Sequence, residues 1–212
     1  MQPDSYQIRI CSSCGLRYPI VESHPFGERC PNCLGITEQV SSHQLNHQPA
    51  SIAIEPKTHL EVLLDNVRSA WNVGAIFRTA DGLGVKKIYL CGITPTPEND
   101  SVRKTALGAE ESVTWEYSRN ALGTATELTR DGCKLIALEQ DQRATPLGDP
   151  SDNLRFARSE KLVLILGNEV TGVDPALLDL CEQIVYIPMY GKKRSLNVEV
   201  AFAIATYNIL GR

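Results

Sequence analysis

From residue 59 onward the chain repeats one alternation. Apolar runs at 60–67 (LEVLLDNV), 86–92 (KKIYLCG), 113–117 (VTWEY), 134–140 (KLIALEQ), 161–167 (KLVLILG) and 183–189 (QIVYIPM) are separated by stretches of helical character. Helices are expected near 73–83, 119–131, 174–181 and 196–210. The apolar runs lack a clean in–out alternation, as strands covered on both faces do. Strands that alternate with helices predict an α/β fold: a mostly parallel sheet with helices on both faces.

Residues 1–48 have a different texture. They are too few to bury a sizeable core and need a staple. Four cysteines supply one, as Cys11-x2-Cys14 and Cys30-x2-Cys33. Two intervening residues let both thiolates of a pair reach one ion from a tight turn, and four thiolates close a tetrahedral zinc shell. Gly15 and Gly35 follow the pairs, where backbone N–H groups approach sulfur, and Pro31 stiffens the second turn. A structural zinc ribbon is the favoured reading; redox-active pairs and a rubredoxin-like iron site are the alternatives. His24, between the pairs, reads as a surface residue. Cys91, Cys133 and Cys181 sit among apolar neighbours and read as small buried hydrophobes. The polar stretch 41–58 carries Pro49 and Pro56. The expected organisation is a ribbon over 1–48, a linker over 49–58 and an α/β domain over 59–212.

The 212 residues are 42% hydrophobic and 22% charged, with a net charge of −4. That balance argues against bulk coating of nucleic acid, which favours basic chains, while leaving room for a local basic site. No apolar run approaches the ~20 residues of a membrane span, and the first residues lack a signal-peptide core, so a cytoplasmic location is the default.

Ligands of open α/β sheets gather at the carboxyl ends of strands. Three polar turns follow strands there: RSAWNVGAIFRTADGLG after 60–67, NEVTGVD after 161–167, and YGKKRSLNVEVA after 183–189. In the first, Asn72 is suited to cap a helix starting at Val73 or Gly74, and Arg78 follows six residues on. In the second, Gly167 and Gly172 permit tight backbone geometry. The third places Lys192, Lys193, Arg194, Ser195 and Asn197 at the start of a nearly all-apolar helix. Phosphate-loop, dinucleotide and nucleophile-elbow patterns are absent. His59 is the last histidine of the chain, so histidine acid–base chemistry is not expected.

Together, Asn72-x-Gly74-x3-Arg78, Leu166-Gly-Asn-Glu-x2-Gly172 and Ile187-Pro-Met-x-Gly191-x3-Ser195-Leu-Asn-Val198 resemble the three motifs of the SpoU branch of the SPOUT RNA methyltransferases. KTALGAE at 104–110 resembles a further stretch of these enzymes. The resemblance implies an S-adenosylmethionine-dependent methyltransferase acting on a ribose 2′-OH in tRNA or rRNA, a deep C-terminal trefoil knot, and a homodimer with the active site near the interface; no membrane partner is expected, since no apolar run is long enough to span a bilayer. It implies a cofactor held by Gly167, Ile187, Leu196 and Leu138. It also implies a polar catalytic group of Asn72, Arg78, Glu169, Ser195 and Asn197, with Lys192, Lys193 and Arg194 facing RNA. In the family, Arg78 is proposed as the base; clamping a phosphate and stabilising an alkoxide is the alternative, because guanidinium stays protonated. A non-catalytic RNA-binding or assembly protein that retains the knot, and a zinc-ribbon interaction module fused to a nucleotide-binding α/β domain of other chemistry, are the competing readings.

Relatives that modify the tRNA D-loop usually extend beyond the knot helix, and many rRNA-modifying relatives carry a ribosomal-protein-like domain where this chain has its ribbon. The ribbon either reads RNA or braces the protein. Residues 1–58 hold one more acidic than basic group (Asp4, Glu22, Glu28, Glu38 and Glu55 against Arg9, Arg17, Arg29 and Lys57), which gives no support to RNA reading.

Overall fold

A computed structural model of the chain describes residues 3–21, 24, 27–45, 58–148 and 160–211. It forms two compact units, Met1–Ile54 and Glu55–Arg212. The linker read at 49–58 lies outside the described residues except for Thr58.

The first unit is a three-stranded antiparallel sheet of β1 (Ser5–Cys11), β2 (Arg17–Val21) and β3 (Thr37–Gln44), in the order β2-β1-β3. Among the described residues its buried apolar residues are Cys11, Ile20 and Cys30. Tyr6 and His43 stack with ring centroids 5.1 Å apart.

The second unit contains β4 (His59–Asp65), α1 (Ala70–Leu83), β5 (Lys87–Cys91), α2 (Asp100–Ala106), α3 (Ala109–Ser112), β6 (Thr114–Ser118), α4 (Ala121–Arg130), β7 (Lys134–Leu138), β8 (Thr145–Pro146), β9 (Lys161–Leu166), α5 (Pro175–Leu178), β10 (Gln183–Tyr186) and α6 (Val198–Ile209). Its seven strands run in the order β6-β5-β4-β9-β7-β10-β8, and every pairing among the described residues is parallel. The strands look uniformly apolar because both faces are covered. Leu162, Leu164 and Leu166 of β9 point to the core shared with α1 and α6, and Val163 and Ile165 to the core shared with α4 and α5.

All six anticipated strands and four anticipated helices exist, most within a few residues of their expected ends. The helix expected over 174–181 is a single turn, capped by Asp174 with Pro175 at its start. The short α2, α3 and β8 were not anticipated. Asn72 is not a cap. Ser69 caps α1 and accepts from the Asn72 backbone N–H at 3.3 Å, so Asn72 lies inside the first turn with its side chain free for other work.

Gly74 is fixed by packing: a Cβ there would lie 1.9 Å from Thr105 Oγ1 and 2.3 Å from the Val102 carbonyl, so α2 can lie on α1 only because the side chain is absent. On α6, Phe202, Ala205, Thr206 and Ile209 are buried, whereas Val200, Ile204 and Tyr207, spaced i, i+4, i+7, form an exposed apolar stripe. The burial expected from its composition is therefore met on one face within a single chain. Among the described residues no helix is long and apolar enough to cross a membrane.

Candidate functional site

The carboxyl ends of β7, β9 and β10 open onto a cavity of about 300 Å³. One wall is Leu138, Glu139 and Gln140 after β7. A second is the turn from Leu166 to Gly172 after β9. The third is Tyr186, Ile187 and Met189 after β10, continued by Arg194, Ser195 and Leu196 and by Val198 and Ala201 of α6. Gly167, Ile187, Leu196 and Leu138, the four residues expected to hold the cofactor, all line this one cavity.

The turn after β9 is built to be close. Asn168 exchanges backbone hydrogen bonds with Gly172, and its side-chain oxygen accepts from the Val170 and Thr171 N–H groups. Its Nδ2 donates to the Asn66 carbonyl at 2.8 Å, tying the turn to the end of β4. Gly172 adopts a left-handed φ of 74°. A Cβ on Gly167 would sit 2.2 Å from the Gly172 carbonyl carbon and the Val173 nitrogen, so glycine is required for the turn to fold back. The side-chain amide of Gln140 donates to the Arg194 carbonyl, joining the first wall to the third.

Beside the cavity runs a polar chain. The Arg68 and Ser69 N–H groups donate to Glu169 at 2.9 and 3.0 Å, and Asn72 Nδ2 donates to the same carboxylate at 3.1 Å. Asn72 Oδ1 accepts from Asn197 Nδ2 at 3.0 Å. Asn197 in turn caps α6, accepting from the Glu199 N–H at 2.8 Å. Thr79 donates to Glu199 at 2.9 Å, a second tie between α1 and α6. Partial burial pushes the Glu169 carboxyl up, but the donors at Arg68, at its own backbone and at Ser69, with Asn72, outweigh it and hold the group below the usual range. Glu169 is thus a fixed carboxylate that clamps the start of α1. Asp65 is its opposite: burial pushes its carboxyl up, against hydrogen bonds from Asp174 N–H and Asn66.

The structure unites the anticipated polar residues unevenly. Glu169 and Ser195 line the cavity; Asn72 and Asn197 belong to the adjoining chain of hydrogen bonds. Arg78 is exposed on α1 and has no hydrogen-bond or ion-pair partner among the described residues. Lys192, Lys193 and Arg194 are exposed in the loop that leads to α6. Glu139 and Gln140 were missed as site residues. The available signal was their place as the polar end of the 134–140 run, at the carboxyl edge of a buried strand.

In the ribbon the four sulfurs of Cys11, Cys14, Cys30 and Cys33 lie within 4.8 Å of one another. The Cys11–Cys33 and Cys14–Cys30 separations are 3.5 and 3.7 Å. Thiolates 2.3 Å from a tetrahedral zinc stand about 3.8 Å apart, so the donor set fits that ion. The Cys14 N–H helps pull the Cys11 thiol down to about 6. Gly15 (φ 72°) makes the left-handed step of the first knuckle, and in the second that step falls on Leu34 (φ 60°), not on glycine. Gly35 serves close approach instead, since a Cβ there would meet Ser13 Oγ at 2.6 Å and Cys11 Sγ at 3.1 Å. His24 is not part of the cluster. Cys91 and Cys133 are buried and Cys181 is partly buried.

The SpoU rRNA Methylase family matches residues 59–207. The 23S rRNA (guanosine(2553)-2′-O)-methyltransferase RlmP of Bacillus subtilis is 33% identical over 150 residues, 71% of this chain and 57% of that protein. The tRNA (guanosine(18)-2′-O)-methyltransferase of Aquifex aeolicus is 32% identical over 70% of this chain and 67% of its own length. Among solved structures, the A. aeolicus TrmH/SpoU tRNA modifying enzyme superimposes with a TM-score of 0.63 at 27% identity, covering 73% of this chain and 75% of that one. The AdoMet-bound rRNA methyltransferase of Sinorhizobium meliloti shares the fold, with a TM-score of 0.64 at 23% identity over 84% of this chain and 65% of its own. The chain spans little more than half of the B. subtilis relative. The family match covers all three motif turns and the sheet that carries them: this chain belongs to the SpoU rRNA Methylase family.

Proposed function

We propose that the chain is an S-adenosylmethionine-dependent methyltransferase of ribose 2′-OH groups in tRNA or rRNA. The observation that carries this reading is the juxtaposition of the glycine-tight cavity after β9 with the Glu169–Asn72–Asn197 chain and a basic loop. The cavity's apolar lining at Leu138, Leu166, Met189, Val198 and Ala201, interrupted by backbone groups, suits a nucleoside with an aliphatic tail. When bound, the cofactor supplies an electrophilic methyl group.

The protein's part is placement and charge. Ser195, on the cavity wall, is placed to meet the substrate hydroxyl. Asn72, Glu169 and Asn197 hold α1 and α6 in fixed register, so that α1 presents Arg78 to solvent. Its guanidinium stays protonated and is suited to clamp an RNA phosphate and stabilise the oxygen as its proton leaves. Lys192, Lys193 and Arg194 add positive charge beside the start of α6, itself favourable for anions.

Three further assignments belong to this reading. The ribbon holds one structural zinc, supported by the thiol geometry. A second copy covers the Val200–Ile204–Tyr207 stripe, which adjoins a hollow of about 650 Å³ bordered by Thr79, Leu83 and Ala203. The loops around β9 and β10 thread the C-terminal segment into a trefoil knot in a cytoplasmic enzyme. The test is transfer of labelled methyl from S-adenosylmethionine to total RNA of a strain lacking the gene. Label should appear as 2′-O-methyl nucleoside, and Arg78→Ala should lower turnover about a thousandfold while cofactor binding survives. Wild-type turnover in that variant would refute the role of Arg78; no incorporation by the wild type would refute the activity.

A further inference from the structure

Two carboxylates line the cavity, and they are not equivalent. Glu169 is occupied at its outer side by Arg68, Ser69 and Asn72. Glu139 is held differently. Its Oε1 accepts from the Gln140 N–H at 2.7 Å and its Oε2 from the Val173 N–H at 3.0 Å. One backbone donor per oxygen leaves about two of the four lone-pair positions unfilled. Gly172 stands behind the group: a Cβ there would be 2.4 Å from Oε2, so the carboxylate is pressed against bare backbone and cannot retreat. The result is a half-buried pair of fixed acceptors on the wall of a cavity that is also lined by Gln140, Asn168, Tyr186, Arg194 and Ser195.

A rigid carboxylate with one open acceptor position on each oxygen matches a vicinal diol, which offers two O–H donors at similar spacing. We infer that Glu139 receives the 2′- and 3′-hydroxyls of the cofactor's own ribose, and so selects a ribonucleoside over its deoxy counterpart. Hydrogen bonds to a charged acceptor out of bulk water discriminate strongly against a ligand that lacks the donor. The assignment rests on the cofactor reading above. It adds a residue that neither the three motifs nor the spacing of the turns indicates.

Calorimetry on the full chain separates the possibilities, with S-adenosylhomocysteine and its 2′-deoxy analogue as probes. The wild type should bind the deoxy compound about 10- to 100-fold more weakly. In Glu139→Gln, affinity for S-adenosylhomocysteine should fall by a similar factor, and the preference over the deoxy analogue should shrink to a few-fold. A purely structural Glu139 would weaken both ligands equally and leave the ratio unchanged, which overturns the inference. 5′-Methylthioadenosine keeps the diol and lacks the amino-acid tail. If it binds Glu139→Gln as tightly as the wild type, the carboxylate serves the tail and the diol assignment fails. If the wild type binds none of the three, the cofactor reading fails and this inference falls with it.

Discussion

The ribbon and the α/β unit are stable for different reasons. In the α/β unit whole rows of Leu, Ile and Val are removed from water on both faces of the sheet. In the ribbon the buried apolar residues among those described are Cys11, Ile20 and Cys30, and two of these three are thiols of the cluster. One unit is held by area; the other, with the zinc proposed above, would be held by a point. Exhaustive chelation should therefore have the largest effect of any perturbation. It should abolish the ribbon's folded signals, because small four-cysteine modules fold with their metal, while the α/β unit keeps its own melting transition. Proton NMR of the chelated protein checks this. Retained dispersion of Tyr6 and Ile20 resonances in metal-free protein would break the contrast.

In the α/β unit the sensitive points are backbone contacts. Gly167→Ala puts a methyl 2.2 Å from main-chain atoms of Gly172 and Val173, which cannot rotate away. A loss of about 1–3 kcal/mol is expected from such overpacking, with binding of S-adenosylhomocysteine weakened at least tenfold because the displaced turn forms a cavity wall. Thermal melting and calorimetry read both. A variant with unchanged melting and binding would mean that the turn adapts, and that the unit is less tightly determined than its core suggests.

A smaller effect attaches to Glu169. Gln at this position keeps one good acceptor for three donors, costing about 1 kcal/mol. The pH dependence is more telling. A carboxyl held below its ordinary value of 4.5 when folded stabilises the protein above that pH. The contribution shrinks once pH drops below 4.5, where only the unfolded chain gains the proton readily, and is lost as pH falls through the lowered folded value. The wild type should therefore lose stability on acidification more steeply than Glu169→Gln. Asp65 is shifted the other way but is common to both proteins, so it drops out of the comparison. Equal slopes between pH 3 and 6 would remove Glu169 as an ionised clamp.

What was legible in the sequence follows the same division. The strands showed because two-sided burial leaves continuous apolar runs, and the four-cysteine cluster showed because its Cys-x2-Cys pairs have a fixed spacing. Gly167, Ile187, Leu196 and Leu138 were reached through motif resemblance, and the structure gathers those residues into one cavity. Asn72 was misread as a cap because Ser69 and Asn72 are both good cap residues three positions apart. What decides between them is Glu169, 97 residues away. The short α2 was missed because seven residues after a proline-rich stretch carry too little periodicity. Glu139 escaped because its contacts are with Gly172 and Val173, which no local pattern connects to it.

The smallest effect tests whether the ribbon, too, has finely fitted backbone. Gly15 and Leu34 occupy equivalent left-handed positions in the two knuckles, and only Gly15 is free of Cβ strain. A left-handed conformation costs a side-chain-bearing residue about 1–2 kcal/mol, and glycine returns part of that through the freedom of its unfolded state. Leu34→Gly should therefore strengthen zinc retention a few-fold, and Gly15→Ala should weaken it. A Cβ on Gly15 meets nothing within 4 Å, so that change isolates backbone strain from packing. Competition with a chromogenic chelator measures both. If Leu34→Gly instead loosens the metal, the leucine side chain, 64% exposed, contributes packing that outweighs its strain. The second knuckle would then be held by area as well as by its metal.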